Sequence, residues 1–314
     1  MRVRLIALSF WMTSWAASAH SDPELAGYVD VVGGQIWYRL NGRQHIGKKP
    51  ALIAINGGPG GSHRGNMVLV ELASDRPVVL YDQLDTGHST RTGEPQYWTI
   101  DRFISEIDAL RKALALNDVI VIGHSWGGTL AAEYGVRNPA GLKAAVLSSP
   151  MLSTRQWIED TSRLIDELPT DSRETIRKHL ASGNLAAPEF RAAEQVFTAR
   201  HVCRPPRCPS GSYGVDGPPF NVDVYRYMWG PTEFHASGTL RHYDLSPRLR
   251  EIRVPTLIVC GEFDEARPES CARFAGMISG ARAVVIQDAS HSTYLEQKES
   301  YLGAIRRFLR EAGL

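Results

Sequence analysis

The sequence predicts an α/β protein with a mostly parallel central sheet, helices on both faces of that sheet and an inserted helical cap. Short, almost wholly apolar runs alternate with amphipathic helical stretches, which is the pattern of parallel strands buried on both faces. These runs stop after Pro150 and return only at Val254, and helix-like segments lie between. A chain of 314 residues is long enough for one large domain with such an insertion.

The individual elements follow from local pattern. The alternating segment Tyr28 to Leu40, broken by Gly33-Gly34, predicts an opening hairpin, and apolar spacing predicts a helix from Ile100 to Leu116. The predicted buried strands are Ala51–Ile55, Pro77–Tyr81, Val119–Ile122, Leu142–Leu147, Val254–Cys260 and Ala283–Ile286. We therefore expect a core in two parts, residues 20–153 and 247–314, with the helical cap at residues 154–246.

The first residues, 1–19, have the pattern of a signal peptide. A positive start (Arg2 and Arg4) precedes an apolar stretch, and Ala17-Ser18-Ala19 has the small residues of a cleavage site. The alternative is a membrane anchor, but the stretch is shorter than the roughly 20 residues that a spanning helix needs. We expect cleavage after Ala19, no membrane insertion of the mature protein, and a periplasmic or secreted location.

Composition excludes two classes of partner. The formal net charge is +1, and the 43% apolar and 22% charged fractions are those of a soluble globular protein. Because acidic and basic residues are interspersed, nothing predicts binding to nucleic acid or to an anionic membrane surface.

The chain has four cysteines, and an exported protein could pair them all. Local pairing, Cys203 with Cys208 and Cys260 with Cys271, is the simplest arrangement, and buried free thiols are the alternative. A metal site is disfavoured because no Cys-x-x-Cys pair or neighbouring histidine cluster is present.

The most informative motif surrounds Ser125. The apolar run from Val119 breaks into Gly123-His-Ser-Trp-Gly127, and a helical pattern follows directly. A G-x-S-x-G motif between a strand and a helix predicts a nucleophile elbow, in which a strained turn exposes the serine hydroxyl. The glycines let the backbone pack tightly at that turn.

A nucleophilic serine needs a base and an acid that orients the base. Asp264 and His291 each follow a predicted strand, and the chain order Ser, Asp, His is that of the α/β-hydrolases. We therefore predict Ser125, Asp264 and His291 as a catalytic triad. Weaker candidates for the acid are Glu262, Asp288 and Asp82.

The loop after an early strand, Gly57-Gly-Pro-Gly60, supplies one half of a predicted oxyanion hole. Its Gly58 can turn a backbone N–H toward a reacting carbonyl, and the residue after the nucleophile, Trp126, supplies the second N–H. A phosphate-binding loop is disfavoured because neither glycine-rich phosphate motif is present.

From about Tyr28 to its end, the chain resembles the proline iminopeptidases, which are α/β-hydrolases, and especially the archaeal form that trims peptides released by the tricorn protease. The segments that carry the resemblance are Asn56-Gly-Gly-Pro-Gly60, Tyr81-Asp-Gln-Leu-Asp-Thr-Gly-His-Ser89, Gly123-His-Ser-Trp-Gly-Gly128, Arg163-Leu-Ile-Asp-Glu-Leu-Pro169, Tyr227-Met-Trp-Gly-Pro-Thr-Glu-Phe234 and Gly261-Glu-Phe-Asp-Glu265. The chain departs from that family's pattern at Asn56, where histidine is usual, at Asp85, where glycine is usual, and in its export signal.

The resemblance implies a role for two acids. In the family, a cap glutamate and the glutamate after the triad aspartate receive the substrate's free α-amino group, and these match Glu233 and Glu265. Nearby carboxylates would offset the hydration that an ammonium loses in a partly dry pocket.

The expected function is therefore that of an exported serine aminopeptidase without metal or organic cofactor. Its substrates would be short peptides or amino-acid amides with a free N-terminus, with proline as a candidate first residue. An L-amino-acid amidase or an esterase with the same triad is the alternative, and a non-catalytic ligand-binding protein is a more distant one. Serine at the elbow disfavours dehalogenase and epoxide-hydrolase chemistry, which need a carboxylate there.

Overall fold

The computed structural model describes residues 22–206 and 220–314. Eight strands in these ranges form one sheet in the order β1-β2-β4-β3-β5-β6-β7-β8. The strands are β1 (Leu25–Val31), β2 (Gly34–Asn41), β3 (Ala51–Ile55), β4 (Val78–Tyr81), β5 (Val119–His124), β6 (Leu142–Ser148), β7 (Thr256–Gly261) and β8 (Arg282–Ile286). The β1–β2 and β2–β4 pairs are antiparallel and the other pairs are parallel. The predicted sheet and its opening hairpin are confirmed.

The α-helices of the described ranges fall into two sets. Those of the core are α1 (Ile100–Ala113), α2 (Trp126–Arg137), α7 (Pro268–Gly276), α8 (Thr293–Glu296) and α9 (Lys298–Glu311). Those between β6 and β7 are α3 (Thr154–Asp166), α4 (Thr170–Ser182), α5 (Pro188–Phe197) and α6 (Val222–Met228). A 3₁₀ helix spans His63–Ser74, and a π-helical turn, Thr198–Val202, continues α5.

Alternation along the strands divides the core between the two faces of the sheet. In β3, Ile53 packs in the cluster that includes side chains of α1, α2 and α7, whereas Leu52 packs with the 3₁₀ helix and α9. Because successive strand residues point to opposite faces, a continuous apolar run can bury both. The alternation explains why the strand sequences are nearly free of polar residues.

The segment between β6 and β7, here called the helical insertion (residues 154–246), has a small core of its own. Leu164, Ile176, Phe190 and Phe197 pack there with Phe234. Helices in this part of the chain agree with the expected insertion, and its exact boundaries stay a prediction.

Two sequence-based expectations concern segments that are only partly described. The signal peptide and its cleavage site lie outside the described residues, as does Cys208. No helix within residues 22–206 and 220–314 is both long and apolar enough to cross a membrane.

The expected pairing of Cys260 with Cys271 is wrong. Both are buried free thiols, whereas Cys203 is disulfide-bonded. The thiol of Cys271 donates a hydrogen bond to the carbonyl oxygen of Ala266 at 3.3 Å. The two free thiols also lie within hydrogen-bond reach of each other, and this contact, together with burial, raises the pKa of Cys271 well above its ordinary value.

The strand-to-helix turn before α2 generates a stability prediction. A Cβ at Gly123 would overlap the backbone of Gly127, so Gly123→Ala should lower the free energy of unfolding by about 3 kcal/mol or more, or prevent folding. Gly303 lies in α9 with open space around its Cα, so Gly303→Ala should raise the free energy of unfolding by up to about 1 kcal/mol. Urea unfolding measures both, and similar effects for the two variants would contradict the steric argument.

Candidate active site

Ser125 lies at the turn between β5 and α2, as the motif predicts. Its φ of 56° and ψ of −119° are strained for a residue with a side chain. The backbone N–H of Ser125 donates to the carbonyl oxygen of Ser148 at the end of β6, at 2.8 Å. The strained conformation is thus held by the neighbouring strand, and the serine side chain lines a pocket at the carboxyl ends of the strands.

The structure brings the predicted acid and base together. Nδ1 of His291 lies 2.8 Å from Oδ1 of Asp264, and both residues are buried. The other carboxylate oxygen of Asp264 accepts hydrogen bonds from the Ser149 hydroxyl at 2.6 Å and the Gly261 N–H at 3.1 Å. Burial alone would raise the pKa of Asp264, but the charge of His291 and these hydrogen bonds hold that pKa below its ordinary value. An ionised aspartate in this position fixes the orientation of the imidazole.

The three weaker candidates for the acid have other partners. Asp82 is fully buried and accepts hydrogen bonds from the backbone N–H and Nδ1 of His63, at 2.6 and 2.9 Å. Glu262 accepts from the backbone N–H of Asp288 at 3.0 Å, and both are exposed. The carboxylate on Nδ1 of His291 is therefore that of Asp264.

His124, the residue before the serine, also contacts the predicted base. Its Nε2 donates to the carbonyl oxygen of His291 at 2.9 Å, and the two imidazole centroids are 4.5 Å apart. Burial lowers the pKa of His124 to about 3, so the ring is neutral and carries only the proton it donates. Sequence reasoning missed this contact because position x of G-x-S-x-G has no fixed residue type.

The two predicted oxyanion donors line the same pocket as Ser125. Gly58 has a φ of 120°, which glycine adopts at no steric cost, and Trp126 begins α2, where N–H groups have no partner within the helix. The loop that contains Gly58 is tied to the helical insertion, because the Asn221 N–H donates to the carbonyl oxygen of Gly60 at 2.9 Å. The glycine loop and the N-terminus of α2 therefore both lie beside Ser125.

The two predicted amine-binding glutamates lie near His291. Oε1 of Glu265 is 3.8 Å from Nε2 of His291, and Glu233 lines the pocket and accepts a 2.5 Å hydrogen bond from the hydroxyl of Tyr225. Oε2 of Glu265 is buried and has no hydrogen-bond partner among the described residues. Nothing in the sequence indicated that Tyr225 donates a hydrogen bond to Glu233.

The electrostatics of this pair are unfavourable when no cation is bound. Burial, together with the charges of Glu233 and Asp264, raises the pKa of Glu265 well above its ordinary value. Burial also raises the pKa of Glu233. The hydrogen bond from Tyr225 and the charge of His291 lower this pKa, but they offset the effect of burial only in part. A positively charged group between the two carboxylates would relieve this cost.

The pocket itself is small and mainly apolar. Core residues and the helical insertion both line it, and its volume is about 10 Å³, room for about one water molecule. Its lining residues are Gly58, Pro59, Ser125, Trp126, Met151, Trp157, Trp229, Glu233 and Leu240. Residues of the insertion therefore form part of the wall of the pocket that contains Ser125. No group of three or more metal-ligating side chains occurs within residues 22–206 and 220–314.

Comparison with known proteins agrees with this geometry. Residues 50–298 match the family model for the alpha/beta hydrolase fold. The proline iminopeptidase of Heyndrickxia coagulans is 38% identical over 283 residues, which are 90% of this chain and 98% of that protein. The chain belongs to the proline iminopeptidase family. It is a serine hydrolase.

Further members of the family align along nearly their whole length. The proline iminopeptidase of Saccharolobus solfataricus is 32% identical over an alignment that covers 90% of this chain and 91% of that protein. The crystal structure of the Mycobacterium smegmatis proline iminopeptidase has a TM-score of 0.81 at 31% identity, covering 92% of this chain and 98% of that one. A crystal structure of VinJ has a TM-score of 0.82 at 32% identity, covering 93% and 100%.

Two of the departures from the proline iminopeptidase pattern, Asn56 and Asp85, have structural roles. The side chain of Asn56 is buried and donates to the carbonyl oxygen of Tyr81 at 2.6 Å, which ties the start of the glycine loop to β4. Asp85 adopts a φ of 65°, and its carboxylate accepts from the N–H and hydroxyl of Thr92 and the indole of Trp98, at 2.5 to 2.8 Å. These hydrogen bonds stabilise a left-handed conformation that glycine adopts without them.

The glutamate pair generates a pH prediction. An unfolded glutamate ionises near pH 4.5, whereas Glu265 in the folded protein keeps its proton to a higher pH. Between these two pKa values the folded state binds more protons, so the free energy of unfolding falls as pH rises, by at most about 1.4 kcal/mol per unit. Glu265→Gln should remove this slope and raise the free energy of unfolding of the ligand-free protein at pH 8, with little change near pH 4.

Urea unfolding of both proteins across this pH range measures the effect. Parallel pH profiles for the wild type and the variant would contradict the argument that Glu265 is a destabilised buried acid.

Proposed function

We propose that this chain is an exported serine aminopeptidase that releases one N-terminal residue, proline among them, from short peptides. The observation that carries the proposal is the pair of carboxylates, Glu233 and Glu265, beside the pocket that contains Ser125. A peptide bound with its α-ammonium between them would present its first carbonyl to the serine. Substrates with a blocked amine would leave the carboxylates unpaired.

The proposed reaction proceeds through an acyl-enzyme. The Ser125 hydroxyl attacks the first carbonyl carbon while Nε2 of His291 accepts its proton, and Asp264 orients the resulting imidazolium. The oxyanion receives hydrogen bonds from the N–H groups of Gly58 and Trp126. His291 then protonates the leaving amine, and water hydrolyses the ester by the same route in reverse.

The lining of the pocket supports a compact apolar first residue. Met151, Trp157, Trp229 and Leu240 surround the space next to Ser125, and Glu233 is the carboxylate among its lining residues. An apolar side chain such as the proline ring would be desolvated there at a gain of roughly 25 cal/mol per Å² of buried surface. Export rests on the sequence of residues 1–19 alone, and N-terminal sequencing of protein from its native host tests it.

Glu233→Gln should separate the proposed amine site from general hydrolysis. We expect kcat/KM for free-amine aminoacyl arylamides to fall on the order of a hundredfold, because the substrate ammonium loses a buried charge partner. Hydrolysis of a simple acyl ester should change little. Steady-state kinetics on a panel of arylamides, with and without an acetylated amine, measures the difference.

A matched control is Glu262→Gln, the same change on an exposed acid of the Asp264 loop, and its kcat/KM should stay within about twofold of the wild type. Equal cleavage of acetylated and free-amine substrates by the wild type would refute the amine site. A preference for amino-acid amides or esters over peptides would instead favour the amidase or esterase.

The proposed nucleophile has a direct test. A fluorophosphonate should label the wild type on Ser125, and Ser125→Ala should lose both the label and the activity, by roughly four orders of magnitude or more. Labelling is detected by mass spectrometry of the intact protein and its peptides. An unlabelled but folded wild type would favour a ligand-binding protein without catalysis.

A further inference from the structure

A second cavity lies behind the pocket that contains Ser125. It is a cavity of about 10 Å³, room for about one water molecule, between the start of the helical insertion and α7. Among its lining residues are Leu152, Ser153, Trp157, Asp160, Ala266 and Phe274. Neither Ser125 nor the glutamates line it, so the reaction derived above makes no use of this space.

Trp157 is the residue that lines both cavities. It lies on α3 and is buried, and its ring packs edge-on against His291 at 5.7 Å and against Trp229 at 6.2 Å. Its indole N–H has no hydrogen-bond partner among the described residues, so removing the indole would break no hydrogen bond to them. The side chain acts through its volume and its packing.

We propose that Trp157 is the partition that limits the size of the first residue, and that the space behind it is a latent extension of the pocket. The inference rests on the proposed aminopeptidase function. With the indole in place, a side chain that enters from Ser125 ends against Trp157. With a small residue at this position, the space vacated by the indole connects the two cavities, and a longer side chain can occupy that space and continue toward Phe274.

The chemistry of the second cavity defines which side chains would enter. Both oxygens of Asp160 already accept hydrogen bonds, from Gln156 at 2.9 Å and from Ser270 at 2.5 Å. A neutral donor therefore occupies each oxygen of this carboxylate, and burial raises the pKa of Asp160 above its ordinary value. Leu152, Ala266 and Phe274 supply apolar walls, so the extension suits a neutral, unbranched aliphatic side chain such as that of norleucine.

The test compares norleucine and proline arylamides on the wild type and Trp157→Ala. We expect the ratio of kcat/KM for norleucine to that for proline to rise at least tenfold, because each methylene accommodated in an apolar pocket changes discrimination by about that much. Leu240→Ala enlarges the first pocket without touching the partition, and its ratio should rise less than threefold.

Phe274→Trp supplies the decisive control, since Phe274 lines only the second cavity. Alone it should leave proline hydrolysis within about twofold of the wild type. Combined with Trp157→Ala it should cancel the norleucine gain by refilling the extension. A gain that survives in the double variant would overturn the assignment of the second cavity.

A purely structural role for Trp157 predicts a different pattern. If its main effect were to hold His291, both substrates would lose activity by the same factor and the ratio would not move, which overturns the proposal. Thermal unfolding verifies that each variant folds, and Trp157→Leu replaces the alanine variant if the latter does not. If the wild type hydrolyses esters and not aminoacyl arylamides, a hexanoyl ester replaces the norleucine substrate and a cyclopentanecarbonyl ester replaces the proline substrate. The ratio of kcat/KM for these two esters then tests the role of Trp157 independently of the amine site.

Discussion

The parallel pairing of β5, β6, β7 and β8 is the constraint on which the site depends. These strands are neighbours in the sheet, so their carboxyl ends meet at one edge. Ser125, Ser149, Asp264 and His291 each follow one of the four strands, in that order. The same arrangement places His124, the residue before Ser125, within hydrogen-bond distance of His291, although the two are 167 positions apart in the chain. The side-chain contacts then need only short loops to complete them.

Features with a local signature were predictable from the sequence, and features made by packing were not. The elbow, the strand-end positions of Asp264 and His291, and the buried strands follow from motif and apolar pattern. The partition formed by Trp157 depends on how α3 packs against the core, and a tryptophan on an amphipathic helix gives no sign of that. The same limit explains the wrong pairing of Cys260 and Cys271, since spacing does not report whether two thiols are bonded or only adjacent.

The acidic cluster at His291 shows a conflict between stability and function. Burial, together with the neighbouring charges of Glu233 and Asp264, raises the pKa of Glu265 and makes its ionisation costly in the free protein. Asp264 escapes this cost because hydrogen bonds and the imidazole surround it. Glu265 has no comparable donors on Oε2 among the described residues. A buried carboxylate such as that of Glu265, which is costly to ionise, is best explained by a ligand that brings a positive charge to it.

The helical insertion is bonded to both halves of the proposed machinery. The carbonyl oxygen of His201 accepts the N–H groups of Glu265 and His291, at 3.3 and 3.1 Å, and the Asn221 N–H binds Gly60 of the oxyanion loop. Swinging the insertion away as a rigid lid would break these hydrogen bonds and disturb the acid loop, the base and the oxyanion loop together. Under the proposed function, the first residue would therefore be selected by fixed walls of the pocket and not by a moving lid, and Trp157, which packs against His291 and Trp229, would be such a wall.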